Sequence, residues 1–391
     1  MAAASGNSLP LPALFTILAA VALSPQPATP QRIDHVNYKS SLMSKSMGSR
    51  LMRQTQLSQI DTSLSQLRRV PRIERRSVIE SKLLVTRASK KLKVEGVVDR
   101  FVYADGNPKV AIPTMLFDTS FLKKKTGNLT VDAVVDAGFR GVVSNNFPKE
   151  NFEEGVGLAL EELKKQGYRR TDYFVQTRFV PSATQEAGSC PYDSGASLPI
   201  QIRQSFISSQ KKLKVDKLDA FLWEGATSWM IVRERDMDGY AELENLFLEG
   251  RTKLIGIGYF MFPQLKEIYQ RAEVKPMIYA MPLHGHLGWE RDARKFCQEN
   301  GIIFQALNIL NGNDWVLVLK DDTVLAMAYQ RSVSSKVILL RFALQAGMVN
   351  VIDVDEPYLM REYMQVYDIE LSPDEMWYIE TMDRRFVDMY E

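Results

Sequence analysis

The sequence predicts an α/β fold, a single (β/α)8 TIM barrel preceded by a non-globular leader. Three observations carry that prediction. From about residue 108 onward, short β-rich runs alternate with amphipathic helical stretches. The alternation supplies eight runs of each kind, which implies parallel strands joined by right-handed crossovers. The stretch it covers is about 280 residues, the length that one closed barrel takes.

The strands are expected at 110–115, 141–144, 173–179, 219–224, 254–259, 276–281, 302–307 and 349–354. Each is a short run rich in β-branched or aromatic residues, bounded by turn formers. Helices are expected at 130–137, 151–166, 200–213, 240–249, 263–272, 290–299 and 335–345, with a last one at 373–385. Thr130 can cap the first of them. The second has acids early and lysines late, which suits the helix dipole. Gly167, Gly250, Gly301 and Gly347 follow the ends of four helices, where a left-handed residue closes the last turn. A doubly wound open sheet is the alternative. Its dinucleotide-binding version needs a G-x-G-x-x-G after the first strand, and none stands there.

The first hundred residues read as an address. Residues 1–31 hold no Lys, Arg, Asp or Glu, and an apolar run of 15 spans 9–23. That length suits a signal core and is short for a membrane span of about 20 residues. Residues 32–93 carry 15 Lys+Arg against 4 Asp+Glu, a net of +11, which leaves −9 for residues 94–391. The division expected is therefore a hydrophobic targeting segment at 1–31, a basic Ser/Arg-rich arm at 32–100 and a barrel at 101–391. The leader's composition fits delivery to an organelle, a plastid among them, or to the secretory pathway. An acidic barrel has no overall attraction for nucleic acid, and no transmembrane span is expected within it. Two cysteines, Cys190 and Cys297, provide neither a disulfide framework nor a metal finger.

Several blocks together resemble the aldo-keto reductases. They are AGFRGVVSNNFPKENFEEGVGLAL (137–160), YFVQTRFV (173–180), CPYDSGASLPIQIRQSFISSQKKL (190–213) with VDKLDAFLWE (215–224), GRTKLIGIG (250–258), WERDARKFCQENGIIFQ (289–305) and SKVILLRFALQAGM (335–348). The resemblance runs over residues 108–385. It implies a barrel that reduces carbonyls with hydride from NADPH. In such enzymes a Tyr gives the proton to the developing alkoxide, a Lys paired with an Asp lowers that Tyr's pKa, and a His orients the substrate oxygen.

Carried over position by position, the Asp falls on Val143, the Tyr near Asn151 or on Phe147, the Lys on Arg178 and the His on Glu224. Valine cannot pair with a cation, and neither an amide nor a phenyl ring can protonate an alkoxide. Arginine keeps the charge and changes its shape. A glutamate opposes negative charge where it would develop. The cofactor positions differ too. The glycines after the first strand are replaced in Leu116-Phe117-Asp118-Thr119, and an expected Gln-Asn pair reads Tyr279-Ala280. The phosphate-reading loop holds Asp353, Asp355 and Glu356, acids that would repel a 2′-phosphate, and Arg361 remains as its one basic match.

The expectation is thus a barrel that has lost standard NADPH-dependent reduction and serves binding or scaffolding, with no cofactor, or NADP(H) if nucleotide binding survives. A divergent NADP(H)-dependent oxidoreductase is the first alternative, with Tyr259 or Tyr279 as its acid. A lyase or hydrolase built on Arg178 and Glu224 is the second. Arg178 and Glu224 end neighbouring strands at the carboxyl face, either as a new acid/base pair or as an ion pair plugging a vacated pocket. His284 and His286 form an H-x-H after the sixth strand that could chelate with Glu224 or Asp353, although three His in the whole chain make a histidine-rich centre impossible. Asn145 and Asn146 cap a loop, Trp223 is core or pocket wall, and Asp118 and Asn308 complete the pocket candidates.

Overall fold

The computed structural model describes residues 100–104, 110–185, 188–228, 230–310 and 318–383. The apolar run at 9–23 and the basic arm up to residue 99 lie outside them. Arg100 is the first described residue.

Eight parallel strands close into a barrel: β3 (Met115–Asp118), β4 (Gly141–Val143), β5 (Phe174–Phe179), β6 (Leu218–Glu224), β7 (Thr252–Gly258), β8 (Ile278–Pro282), β9 (Ile303–Leu307) and β10 (Val349–Asp353), with β10 returning to pair β3. Seven of the eight overlap the expected strands in place and type. The first differs. The run at 110–115 is divided between β2 (Ala111–Pro113), which pairs antiparallel with β1 (Phe101–Tyr103), and the start of β3. A continuous apolar stretch carries no period to show such a break.

Around the barrel lie α1 (Thr126–Asp132), α2 (Glu153–Lys165), α3 (Leu198–Leu213), α4 (Glu234–Leu248), α5 (Phe262–Arg271), α6 (Arg291–Glu299), α7 (Asp322–Arg331), α8 (Ser335–Gln345), α9 (Pro357–Tyr363) and α10 (Pro373–Glu380). Thr130 sits inside α1 rather than at its start, and α1 runs on into a π-turn over Ala133–Ala137. α7 went unforeseen; Asp321 caps it by accepting from the Thr323 and Val324 N–H groups, both at 3.0 Å. The expected glycines close their helices at φ of 95° for Gly167, 71° for Gly250, 67° for Gly301 and 82° for Gly347.

Strand alternation sorts the side chains into two cores. Leu116, Val143, Leu222, Leu254, Ile278 and Val351 fill the barrel, while Phe117, Phe221, Ile257, Phe304 and Ile352 pack outward under the helices. Midway up the interior, Gln176 on β5 and Gln305 on β9 exchange two amide hydrogen bonds of 2.9 and 2.8 Å across the lumen. That bridge satisfies both buried amides and closes the barrel beneath its carboxyl mouth. No helix of the described residues is long and apolar enough to cross a membrane.

Candidate active site

At the carboxyl mouth the ends of β3, β5, β6 and β7 bring Asp118, Arg178, Glu224 and Tyr259 together. Arg178 is the centre. Its side chain is 4% exposed, and its Nη2 donates to Asp118 Oδ2 at 2.7 Å. Asp118 follows from local structure, because β3 and β4 are in register with Asp118 opposite Val143. The carboxylate that Val143 cannot supply therefore comes from the adjoining strand, and the guanidinium keeps an acidic partner. The other Asp118 oxygen accepts from the Ser120 N–H at 2.9 Å and from its hydroxyl at 2.5 Å.

Glu224 Oε2 stands 3.0 Å from Arg178 Nε, yet the Nε–H points toward the Ser144 carbonyl at 3.4 Å. The contact is one of charge without an aligned hydrogen bond. Among the described residues, Oε2 is a buried oxygen with no hydrogen-bond partner. Burial pushes the Glu224 carboxyl up to about 7; Arg178 opposes the rise, and Glu150 and Asp118 add to it. Burial also works against the Arg178 cation, but Asp118, Glu224, Tyr259 and Glu150 outweigh it, and the guanidinium stays charged.

Glu150 was not foreseen. It lies one position before Asn151, on the loop into α2, and burial raises its pKa while Arg178 and a hydrogen bond from Asn145 lower it. Asn151, where the proton donor was sought, is engaged elsewhere: its Oδ1 is 2.7 Å from the Thr119 hydroxyl, and its Nδ2 donates to Ser120 at 3.1 Å. Phe147 is buried in the core. Only the position of a charged side chain in a loop hinted at Glu150, and a gap-free register pointed at its neighbour.

Tyr259, just past β7, has φ of 55°, and Asn308, just past β9, has φ of 53°. Non-glycine residues held in the left-handed region cost on the order of 1–3 kcal/mol each and cluster at functional sites. Asn308 Nδ2 donates to the Tyr259 hydroxyl at 3.3 Å. Burial and the nearby Glu224 raise the Tyr259 phenol, with Arg178 opposing, so it remains protonated. Tyr279 is a correction to the expected pocket. It points outward into the helix layer, where its hydroxyl donates to the Phe260 carbonyl at 2.5 Å, and Ala280 faces the lumen instead. Trp223 also faces the helices, edge-on to Phe260 with ring centres 5.1 Å apart, which makes it core rather than pocket wall.

The remaining candidates divide similarly. The Thr119 hydroxyl is enclosed between Asn151 Oδ1 at 2.7 Å and the Val143 carbonyl at 3.0 Å. Asn145 caps its own loop, accepting from the Phe147 N–H at 2.9 Å, whereas Asn146 reaches across to the loop after β5, accepting from the Val180 N–H at 2.8 Å. His284 is half-buried before the turn Gly285–Leu287, and the His286 side chain lies outside the described residues. Among the described residues, no three His, Cys, Asp or Glu side chains converge on a point that could hold a metal ion.

The acidic loop after β10 has one lysine beside it. Lys125, the last of three consecutive lysines after β3, reaches Asp355 at 3.9 Å, and Arg361 is exposed on α9. The expectation that Asp353, Asp355 and Glu356 would repel a phosphate omitted this basic run, which only the β3–β10 pairing brings alongside.

The sequence model of the Aldo/keto reductase family matches residues 110–384. The chain is 25% identical over 273 residues to the glyoxal reductase of Bacillus subtilis, covering 68% of this chain and 88% of that protein. It is 29% identical over 235 residues to the uncharacterized oxidoreductase YtbE of the same organism, covering 59% of this chain and 75% of that one. Its fold resembles that of an aldo/keto reductase from Brucella melitensis, at TM-score 0.60 and 23% identity over 72% of this chain and 98% of that one. It also resembles MGS-M4, an aldo-keto reductase from a deep-sea metagenome, at TM-score 0.61 and 21% identity over 72% and 94% of the two chains.

Proposed function

The chain belongs to the aldo/keto reductase family, and from that premise we propose that it is an oxidoreductase of small carbonyl compounds in which Glu224, not a tyrosine, supplies the proton. The observation that carries this reading is a nearly buried carboxyl with a pKa of about 7, one unbonded oxygen, and a guanidinium beside it. A group that titrates near the working pH can both hold a proton and release it, which is what general acid catalysis requires.

The family's nicotinamide dinucleotide would supply a hydride to the carbonyl carbon. The residues that would meet its phosphates are Arg361 and the lysines at 123–125, of which Lys125 stands 3.9 Å from Asp355 in the neighbouring acidic loop. The chain's own part is the proton. As negative charge develops on the substrate oxygen, Glu224 releases its proton to it. Arg178, held by Asp118, then faces the resulting carboxylate and stabilises it. Tyr259 stays protonated and can donate a hydrogen bond to the same oxygen. Solvent at the mouth returns the proton to Glu224.

The full-length chain, incubated with NADPH or NADH and glyoxal, the compound named for one of its relatives, should oxidise the nucleotide. Above pH 7 the rate should fall as Glu224 loses its proton. No oxidation of either nucleotide with glyoxal or other neutral aldehydes, at any pH from 5 to 8, would contradict the reading.

A second reading, a barrel that has kept ligand binding and lost reduction, is favoured by one observation. Phe147 is buried and Asn151 is buried and hydrogen-bonded to Thr119, and neither is a tyrosine, so the loop into α2 offers no phenol to the mouth. Micromolar nucleotide binding without turnover would support it.

A further inference from the structure

Resting on the reading of the mouth as a carbonyl site, we propose that it sorts substrates by charge, accepting small carbonyl compounds that are neutral or carry an ammonium group and rejecting those that carry a carboxylate. The argument begins with Arg178. A lone guanidinium in a cleft is an invitation to a carboxylate, but this one is consumed. Asp118 takes Nη2 at 2.7 Å, the Ser144 carbonyl and Glu224 crowd Nε, and Glu150 adds a third carboxyl to its surroundings.

Arg178 is thus taken up by Asp118, with the Glu224 and Glu150 carboxyls also near it, so an entering carboxylate finds no unpaired guanidinium here and meets further carboxyls in a partly desolvated site, where charge interactions exceed their strength in water. Glu150 carries the selectivity. It is half-buried on the loop into α2, and the charged and polar side chains acting on its carboxyl are Arg178, Asn145, Asp118 and Lys149. A second, independent feature points the same way. Among the described residues Glu224 Oε2 lacks a donor, and in its ionised form, about half the population at pH 7, it can accept a hydroxyl or ammonium hydrogen of a ligand and repels a second carboxylate.

Three ketones of the same three-carbon skeleton test this: aminoacetone, hydroxyacetone and pyruvate. Their affinities for the full-length chain at pH 7 can be measured by calorimetry without nucleotide. Aminoacetone should bind most tightly and pyruvate least, with a spread of about 10- to 100-fold, because each unfavourable charge contact of this kind is worth about tenfold in affinity. Glu150→Gln should shrink that spread about tenfold, and raising the salt concentration should shrink it in the unsubstituted chain as well.

Pyruvate binding as tightly as aminoacetone would overturn the proposal, as would a spread unchanged by both Glu150→Gln and salt, or aminoacetone failing to saturate. Binding in the expected order without reduction of any ketone supports charge selection and tells against the reductase reading alone.

Discussion

Two buried glutamates, one between sheet and helices and one at the barrel mouth, are pushed to the same pKa of about 7, and only one of them looks ready to react. Glu153 begins α2 and lies under α3. Its oxygens accept from the Thr177 hydroxyl at 2.8 Å and the Ser209 hydroxyl at 3.1 Å, and Lys212 stands 4.0 Å away. Glu224 has the same burial-driven rise, but it has an oxygen without a donor, a guanidinium that does not align with it, and a mouth above it. A raised pKa alone therefore does not mark a site, since structural carboxyls in well-bonded pockets show it too. What separates the two is whether the hydrogen bonds are already filled.

That contrast can be broken by substitution. The largest effect expected is on Glu224→Gln, which keeps size and removes the proton. Nucleotide oxidation by glyoxal should drop about 10²- to 10⁴-fold, while the thermal midpoint should not fall. The matching Glu153→Gln should leave the oxidation rate within about twofold, since the general-acid loss applies to Glu224 alone.

Next comes Asp118→Ala. It strips a 2.7 Å partner from a guanidinium that is 4% exposed, and breaking a buried pair from one side costs about 3–5 kcal/mol. Urea unfolding should show that loss; a cost below about 1 kcal/mol, the range of exposed pairs, would mean that Glu224 and Glu150 already suffice for Arg178.

The pH response of Glu153 is smaller. Its folded pKa of about 7 exceeds its ordinary 4.5, so the folded state binds the proton more tightly. Its contribution is fully present below about 4.5 and is lost as pH rises through 7, a change of about 3 kcal/mol at the conversion of 1.36 kcal/mol per unit. Stability measured from pH 5 to 8 should fall less steeply in Glu153→Gln than in the unsubstituted chain.

The smallest is Gly157→Ala beside it. A Cβ there would stand 2.1 Å from the Lys212 carbonyl oxygen, so α2 and α3 must part, at about 1–3 kcal/mol for overpacking. An unchanged urea midpoint would show that α2 can shift freely and that the filled pocket of Glu153 is looser than drawn.

Much of the barrel is legible in the sequence because its strands are separated by amphipathic helices with glycine stops. The first strand is not, because residues 110–118 are almost uniformly apolar and only β1, across the hairpin, says where β2 ends. The site is legible in part. Arg178 and Glu224 stand where strand ends place them, and Asp118 and Tyr259 are at the mouth beside them. Tyr279 looked equivalent to Tyr259, but one sits inside the β8 alternation with its ring outward, while the other follows the last residue of β7 in a left-handed turn. Glu150 was hidden because a loop has no period, and a shift of one residue exchanges a carboxylate for an amide that has other work. Lys125 escaped for a different reason: its link to Asp355 spans the closure of the barrel, a contact between the two ends of the domain that no local pattern contains.

The claim on which the account stands is that Glu224 holds a proton near neutrality. Glutamate labelled with ¹³C at the side-chain carboxyl, observed in the unsubstituted chain and in Glu224→Gln, isolates that one resonance by difference. The account predicts a titration midpoint near 7. A midpoint at or below the ordinary 4.5 would leave Glu224 a fixed anion beside Arg178, and a permanently charged carboxylate cannot give a carbonyl its proton.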